Sequence, residues 1–105
     1  MTVLMPNFNH ARFLPQSVGS VLGQTYSDWR LIVSDNASTD ESLQVLAGFD
    51  DPRISIIRQD INVGLMPNIN LLLGQLTGDF SVVLPADDWW EPTFLEETVS
   101  MLDAH

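Results

Sequence analysis

Apolar positions along this chain come in two rhythms: short runs, and longer stripes at helical spacing. Thr2-Val3-Leu4-Met5 is a short run that ends at Pro6, and Asn7-Phe8-Asn9 after it reads as a loop. Between Phe13 and Gln24, the residues Leu14, Val18, Val21 and Leu22 fall at i, i+4, i+7 and i+8, which predicts an amphipathic helix. Trp29 to Val33 predicts a second strand, followed by a polar loop from Asp35 to Asp40. Ser38 and Glu41 have capping-box spacing, so a helix is expected to start near Thr39 and to bury Leu43, Leu46 and Phe49. Asp51-Pro52 marks a turn before a third strand, Ile54 to Ile57, and Asn62-Val63-Gly64 forms the next loop. Pro67 suits the first turn of a helix in which Leu65, Ile69, Leu72, Leu73 and Leu76 share a face, with Thr77-Gly78 ending it. Phe80 to Leu84 predicts a fourth, buried strand, and Pro92 opens a last helix carrying Leu95, Val99 and Leu102.

Strands and helices that alternate in this order predict an α/β fold, a mainly parallel sheet flanked by helices on both faces. In such sheets the loops after the strands share one edge, and ligands bind there near a switch in strand order. Asn7 to Asn9, Asp35, and Asp87 with Asp88 all belong to that edge. The fourth run stops abruptly at Pro85-Ala86-Asp87-Asp88. Adjacent carboxylates repel each other unless a cation or a donor compensates, so the pair suggests a hard metal ion; a solvated turn before the next helix is the other reading.

Composition narrows the partners. At 105 residues the chain suits one domain. Its net charge is −10, with four Arg, no Lys and fourteen Asp or Glu, which repels a phosphate backbone and argues against nucleic acid. Four Arg also make a cationic clamp for a small phosphorylated ligand difficult, and a divalent cation would fill that gap. With no cysteine, disulfides, thiolate metal sites and cysteine nucleophiles are excluded. No apolar run approaches membrane-spanning length and no signal peptide is evident, so a soluble, cytoplasmic chain is expected, with any attachment at a membrane made through other regions.

Pro6-Asn7-Phe8-Asn9, Ser34-Asp35-Asn36-Ala37-Ser38-Thr39-Asp40, Asn62-Val63-Gly64 and Ala86-Asp87-Asp88, with Gln24-Thr25-Tyr26-Ser27-Asp28-Trp29 between the first two, resemble in order the donor-binding half of family 2 glycosyltransferases. The resemblance covers essentially the whole chain and implies a Rossmann-like GT-A fold. It also implies a UDP- or GDP-type nucleotide-sugar donor, Mn²⁺ or Mg²⁺ bridging the diphosphate to an acidic motif, and inverting transfer to a hydroxyl of an acceptor glycan or similar compound. By this resemblance Pro6, Asn7, Phe8, Asn9, Asn36, Asn62 and Gly64 belong to the donor site and Asp35 accepts a hydrogen bond from the base. Asp87 and Asp88 match the metal motif, with Asp87 also facing the donor. Two departures stand out: Pro85 where many members place another Asp, and Ile69 where many carry an Arg before Asn70. Trp89 and Trp90 either flank a sugar pocket or pack on the following helix, and His10 is either a phosphate donor or a solvated loop residue.

Inverting transfer also needs a general base for the acceptor hydroxyl. By the resemblance that base lies beyond these residues, so residues 1–105 are read as a donor-binding half with the acceptor half following. A dinucleotide-binding oxidoreductase needs a glycine-rich turn after the first strand, and Asn7-Phe8-Asn9-His10 has none. A receiver domain needs a lysine, and an aspartyl phosphatase needs a second Asp where Ala37 stands. The remaining rival is a non-catalytic nucleotide-binding or protein-interaction module on the same fold.

Overall fold

The expected rhythm of strand and helix is realised as one parallel sheet with helices on each face. The structure, a computed structural model, describes residues 1–75 and 80–103, so the expectations for Leu76 and Thr77-Gly78 fall outside the described residues. The elements are β1 (Thr2–Asn7), α1 (Leu14–Leu22), β2 (Arg30–Asp35), α2 (Ser42–Ala47), β3 (Ile54–Arg58), α3 (Leu65–Leu73), β4 (Ser81–Val83) and α4 (Phe94–Asp103). Strand order is β3-β2-β1-β4, and every pairing is parallel.

Alternation along the central strands sorts their side chains to two cores. Val3 and Met5 of β1 and Leu31 and Val33 of β2 meet Leu14, Val18 and Val21 of α1, Leu46 of α2 and Leu95 of α4. Leu4 and Ile32 point the other way and meet Leu72 of α3, with Ile57 packed beside them. Stepping from β1 to β2 to β3 uses α1 and α2 on one face. The return to β4 reverses direction and places α3 on the opposite face, as a constant crossover hand requires. The reversal makes the gap between β1 and β4 the switch point of the sheet.

Four expectations need correction. The helix after β2 begins at Ser42, not near Thr39, and no capping box forms. The Ser38 hydroxyl instead donates to Asp35 Oδ1 at 2.6 Å, and Asp40 Oδ1 accepts the Ser42 N–H at 2.9 Å. The Ser38 oxygen, the acceptor that a capping box needs, is taken instead by the Asn9 N–H at 3.0 Å and the Asn7 amide at 3.3 Å. In α3 the buried residues are Asn68 and Leu72, whereas Leu65 is 63% and Leu73 44% exposed. Asn68 takes the inward position because it hydrogen-bonds β2: its Nδ2 donates to Ser34 O at 3.1 Å and its Oδ1 accepts from Ser34 Oγ. The fourth strand is three residues long and lies at the sheet edge, with Ser81 and Val83 exposed, so it is not the buried strand expected. Finally, β1 runs through Pro6 to Asn7, so Asn7 is the last residue of the strand rather than part of the loop, because β1 continues to pair with Ser34 and Asp35.

Candidate functional site

Pairing of Pro6 with Ser34 and Asn7 with Asp35 brings the polar ends of β1 and β2 side by side at the carboxyl edge. Asn7 Nδ2 donates to Asp35 Oδ1 at 2.8 Å, and Ser38 N donates to Asp35 Oδ2 at 3.1 Å. Asp35 has no exposed surface. Beyond the strands, the loop after β1 and the loop after β2 clasp each other. Asn9 Oδ1 accepts from Thr39 N at 2.7 Å and Asp40 N at 3.2 Å, while Ala11 N donates to Asp40 Oδ2 at 3.0 Å. Burial acts to raise the pKa of Asp40, but hydrogen bonds from the Ser42 hydroxyl and from the Ala11 and Ser42 amides outweigh it and hold the carboxyl below its ordinary value. Both loops turn through left-handed backbone, at Asn9 (φ 55°) and Ala37 (φ 59°). Asn tolerates this region well; Ala does not.

A second clasp joins the β2 loop to the entrance of α3. Asn36 Nδ2 donates to Asn62 Oδ1 at 3.1 Å and Gly64 O at 3.2 Å, and Asn36 Oδ1 accepts from Val63 N at 2.9 Å. Gly64, at φ 87°, makes the turn into α3 that a side chain would strain.

These loops and the chain after β4 enclose a cavity of about 460 Å³ at the switch point. Of the residues that the resemblance assigns to the donor site, Pro6, Asn7, Phe8, Asn36, Asn62, Gly64 and Asp87 line it. Asn9, Asp35 and Asp88 do not line it. Asn9 and Asp35 serve as the loop clasp and the buried strut just described, and Asp88 Oδ1 accepts the N–H of Trp89 at 2.8 Å. His10, half-buried, does line the cavity, with its ring edge-on to Phe13 at 5.9 Å, so it is more than a solvated loop residue. Trp90 stacks on Phe94 at 4.5 Å, which is the packing role; Trp89 stays 48% exposed.

The sequence reading missed Asn68 and gave Gln24 only as part of a resembling stretch, without a role. Asn68 lines the cavity and locks α3 to Ser34. A polar residue at the inward position of a helical stripe, i−4 to Leu72, was the available signal. Gln24 is buried: its Nε2 donates to Glu91 O at 2.7 Å, and its Oε1 accepts from Leu95 N at 2.9 Å. It ties the end of α1 to the segment that follows Asp87 and Asp88. No local signal marks that role, since the partners are 67 and 71 residues away.

Among the described residues no Lys or Arg lines the cavity. Asp87 is the carboxylate of the described wall and His10 its imidazole, and Ile69 fills the wall where the resemblance expects Arg. No cluster of three or more His, Asp or Glu side chains suited to a metal occurs among the described residues. Two adjacent exposed carboxylates nevertheless fit a Mg²⁺-type ion, which keeps several waters and is held by one or two carboxylates together with ligand phosphates.

The parallel sheet with helices on both faces and a cavity at its switch point form a Rossmann-like α/β fold, and the structural match to S. aureus TarS 1-349, with a TM-score of 0.92, makes it the GT-A fold. The chain belongs to glycosyl transferase family 2, whose model matches residues 2–105. One relative is the UDP-Glc:alpha-D-GlcNAc-diphosphoundecaprenol beta-1,3-glucosyltransferase WfgD of Escherichia coli. It is 32% identical over 102 residues, an alignment covering 97% of this chain and 40% of that protein. The solved structure of S. aureus TarS 1-349 with UDP-GlcNAc superposes with a TM-score of 0.93 at 22% identity, covering 99% of this chain and 31% of that one. The mannosyltransferase PcManGT from Pyrobaculum calidifontis, in complex with GDP-Man and Mn²⁺, gives a TM-score of 0.77 at 24% identity, covering 85% and 28%. The chain thus spans well under half the length of these relatives. No helix among the described residues is long and apolar enough to cross a membrane.

Proposed function

We propose that residues 1–105 form the donor-binding half of an inverting, metal-dependent glycosyltransferase that moves a sugar from a UDP- or GDP-type donor to an acceptor hydroxyl. The observation that carries this reading is the cavity at the β1–β4 switch point, which gathers Asn7, Phe8 and Asp87 from the ends of two neighbouring strands in a family 2 chain. Phe8 is 40% exposed and lines the cavity, available to the face of a base. Asp87, with Asp88 beside it, would hold Mn²⁺ or Mg²⁺ against the diphosphate, and a bound cation there supplies charge compensation for the departing nucleoside diphosphate. The wall offers a diphosphate no Lys or Arg among the described residues, so binding should depend on the ion.

Titration calorimetry of UDP and GDP with Mn²⁺ and with EDTA tests the reading. Binding is expected with the ion and weak or absent binding without it. Equal affinity in both conditions would remove the metal from the proposal, and a parent protein that binds nucleotide sugars without turning them over would favour the non-catalytic module.

A further inference from the structure

Resting on the metal-dependent donor reading, we infer that Gln24 and Thr25, just beyond the end of α1, are positioning residues for Asp87 and Asp88. They hold the acidic segment at a fixed distance from α1, and that restraint makes the site selective for Mg²⁺ over Ca²⁺.

The segment that carries the acidic pair is fastened on both sides. Upstream, Leu84 N donates to Leu4 O of β1 at 2.9 Å, Leu84 and Ala86 are buried, and Asp88 N closes a turn onto Pro85 O at 3.0 Å. Downstream the fastening comes from α1. Gln24 Nε2 donates to Glu91 O at 2.7 Å and to Ser20 O at 2.9 Å, while its Oε1 accepts from Leu95 N at 2.9 Å. A carbonyl only accepts and an N–H only donates, so these partners dictate the orientation of the amide. Thr25 adds two bonds: its N–H donates to Pro92 O at 2.9 Å and its hydroxyl to Glu96 Oε2 at 2.7 Å. The Gln24 backbone is itself tied to α1 through Val21 O at 3.1 Å. Helix, clamp and acidic segment therefore form one braced unit.

The brace does more than finish a helix. Leu95 N is among the first N–H groups of α4, which have no partner inside the helix, and a cap from a neighbouring residue would satisfy it as well. A buried amide 71 residues away satisfies it and also sets where the segment lies. From Asp87 to Glu97 the chain carries five carboxylates and no Lys or Arg, so their mutual repulsion favours a splayed segment that the clamp opposes. Asp88 is restrained further, its Oδ1 accepting from Trp89 N at 2.8 Å. Carboxylates restrained in this way suit Mg²⁺, which takes one or two of them, keeps several waters and requires an octahedron at about 2.1 Å. Ca²⁺ gathers about six to eight oxygens in flexible geometry and gains when extra carboxylates swing in. Loosening the clamp frees Asp88 and Glu91 to do so.

Calorimetric titration of UDP and GDP into the native chain, in Mg²⁺ and in Ca²⁺, tests the inference. For whichever diphosphate binds more tightly, affinity with Mg²⁺ should exceed affinity with Ca²⁺ about ten-fold or more. In Gln24→Leu that ratio should fall to about three-fold or less. Stability alone does not move the ratio, and Leu46→Val supplies the reference: Leu46 is a fully buried α2 residue of the same core, so its variant should lower the urea midpoint and keep the native ratio. Thr25 is exposed, so Thr25→Val keeps the fold while losing the bond to Glu96, and its ratio should fall part of the way. A native ratio near one overturns the inference. So does a native ratio in Gln24→Leu, or in Thr25→Val where Gln24→Leu does not fold, and so does an equal fall in Leu46→Val. Each of these leaves the donor reading standing. Failure of both diphosphates to bind with either ion overturns both.

Discussion

Asn7 and Asp35, opposite each other at the paired ends of β1 and β2, share a 2.8 Å hydrogen bond in which an amide donates to a carboxylate with no exposed surface. The bond makes Asp35 a strut beneath the cavity. Asp35→Ala removes the acceptor of the Ser38 hydroxyl and of the Ser38 N–H and leaves the Asn7 amide only the Ser38 oxygen at 3.3 Å, and should destabilise the fold by about 3 kcal/mol, read by urea denaturation. An unchanged midpoint with weakened nucleotide binding would instead place Asp35 in contact with the base.

Asp87 and Asp88 are neighbours with different surroundings. Asp87 lines the cavity, while Asp88 Oδ1 is engaged by Trp89 N at 2.8 Å. Asp87→Asn should therefore weaken Mn²⁺-supported UDP or GDP binding by about ten-fold or more, and Asp88→Asn by less, with melting temperatures unchanged because both side chains are exposed. Calorimetry on the two variants checks the order. Wild-type affinity in both would reduce the pair to a solvated turn.

Gln24→Leu removes a buried amide that holds Ser20 O, Glu91 O and Leu95 N. Leaving Leu95 N and Glu91 O without this partner should cost about 1–3 kcal/mol. It should also loosen the segment after Asp88, so metal-supported nucleotide affinity falls along with the urea midpoint.

Ala37 sits at φ 59°, where an L side chain crowds the backbone. Ala37→Gly removes that crowding and adds chain entropy to the unfolded state, two opposed effects of which the first is larger. The expected outcome is a gain of about 0.5–1 kcal/mol, measured as a higher melting temperature. A loss of stability would mean that the Ala37 methyl contributes packing that outweighs its backbone.

Acid should expose the opposite edge of the sheet. A hydrogen bond from the Arg53 side chain, joined by the Arg53 amide, holds Asp51 down at about 2, and Arg53 also lies 3.8 Å over the buried Trp29 ring and donates to Ser27 O at 2.9 Å. The folded pKa lies below the ordinary value of 3.8, so this contribution is complete above about 3.8 and lost as pH falls towards 2. Asp40, also lowered, acts in the same sense. Thermal melts from pH 5 to pH 2 should show a steeper loss for the native chain than for Asp51→Asn. Parallel curves would assign the acid sensitivity to other groups.

The strand runs, the helical stripe of α1 and the polar stops after each strand were all legible along the chain. They follow from local rules: apolar runs bury in parallel sheets, apolar residues at i, i+4 and i+7 face one core, and Gly, Pro and Asn interrupt both patterns. That Asn7, Phe8 and Asp87 share one edge followed too, since parallel strands put their carboxyl ends together, whereas Asn36 and Asn62 were placed with them by the family resemblance and Asn9, Asp35 and Asp88 do not line the cavity. The α3 stripe misled, because five apolar positions outweighed one Asn whose partner lay on β2. The capping box misled for a related reason, its Ser oxygen being taken by the N–H of Asn9, 29 residues earlier.

By itself, then, the sequence determined the α/β order, the edge at which chemistry gathers and the acidic pair at that edge, all consequences of spacing and of residue type. Tertiary structure alone decided which polar groups are spent within the protein. Asp35 turns inward, the Asn36 and Asn68 amides are consumed by loop and strand, and the Asn7 amide is held by Asp35. A side chain's hydrogen-bonding capacity is divided among whatever neighbours the fold brings within about 3 Å, and for Asn7 and Asn36 those neighbours are 26 to 31 residues away.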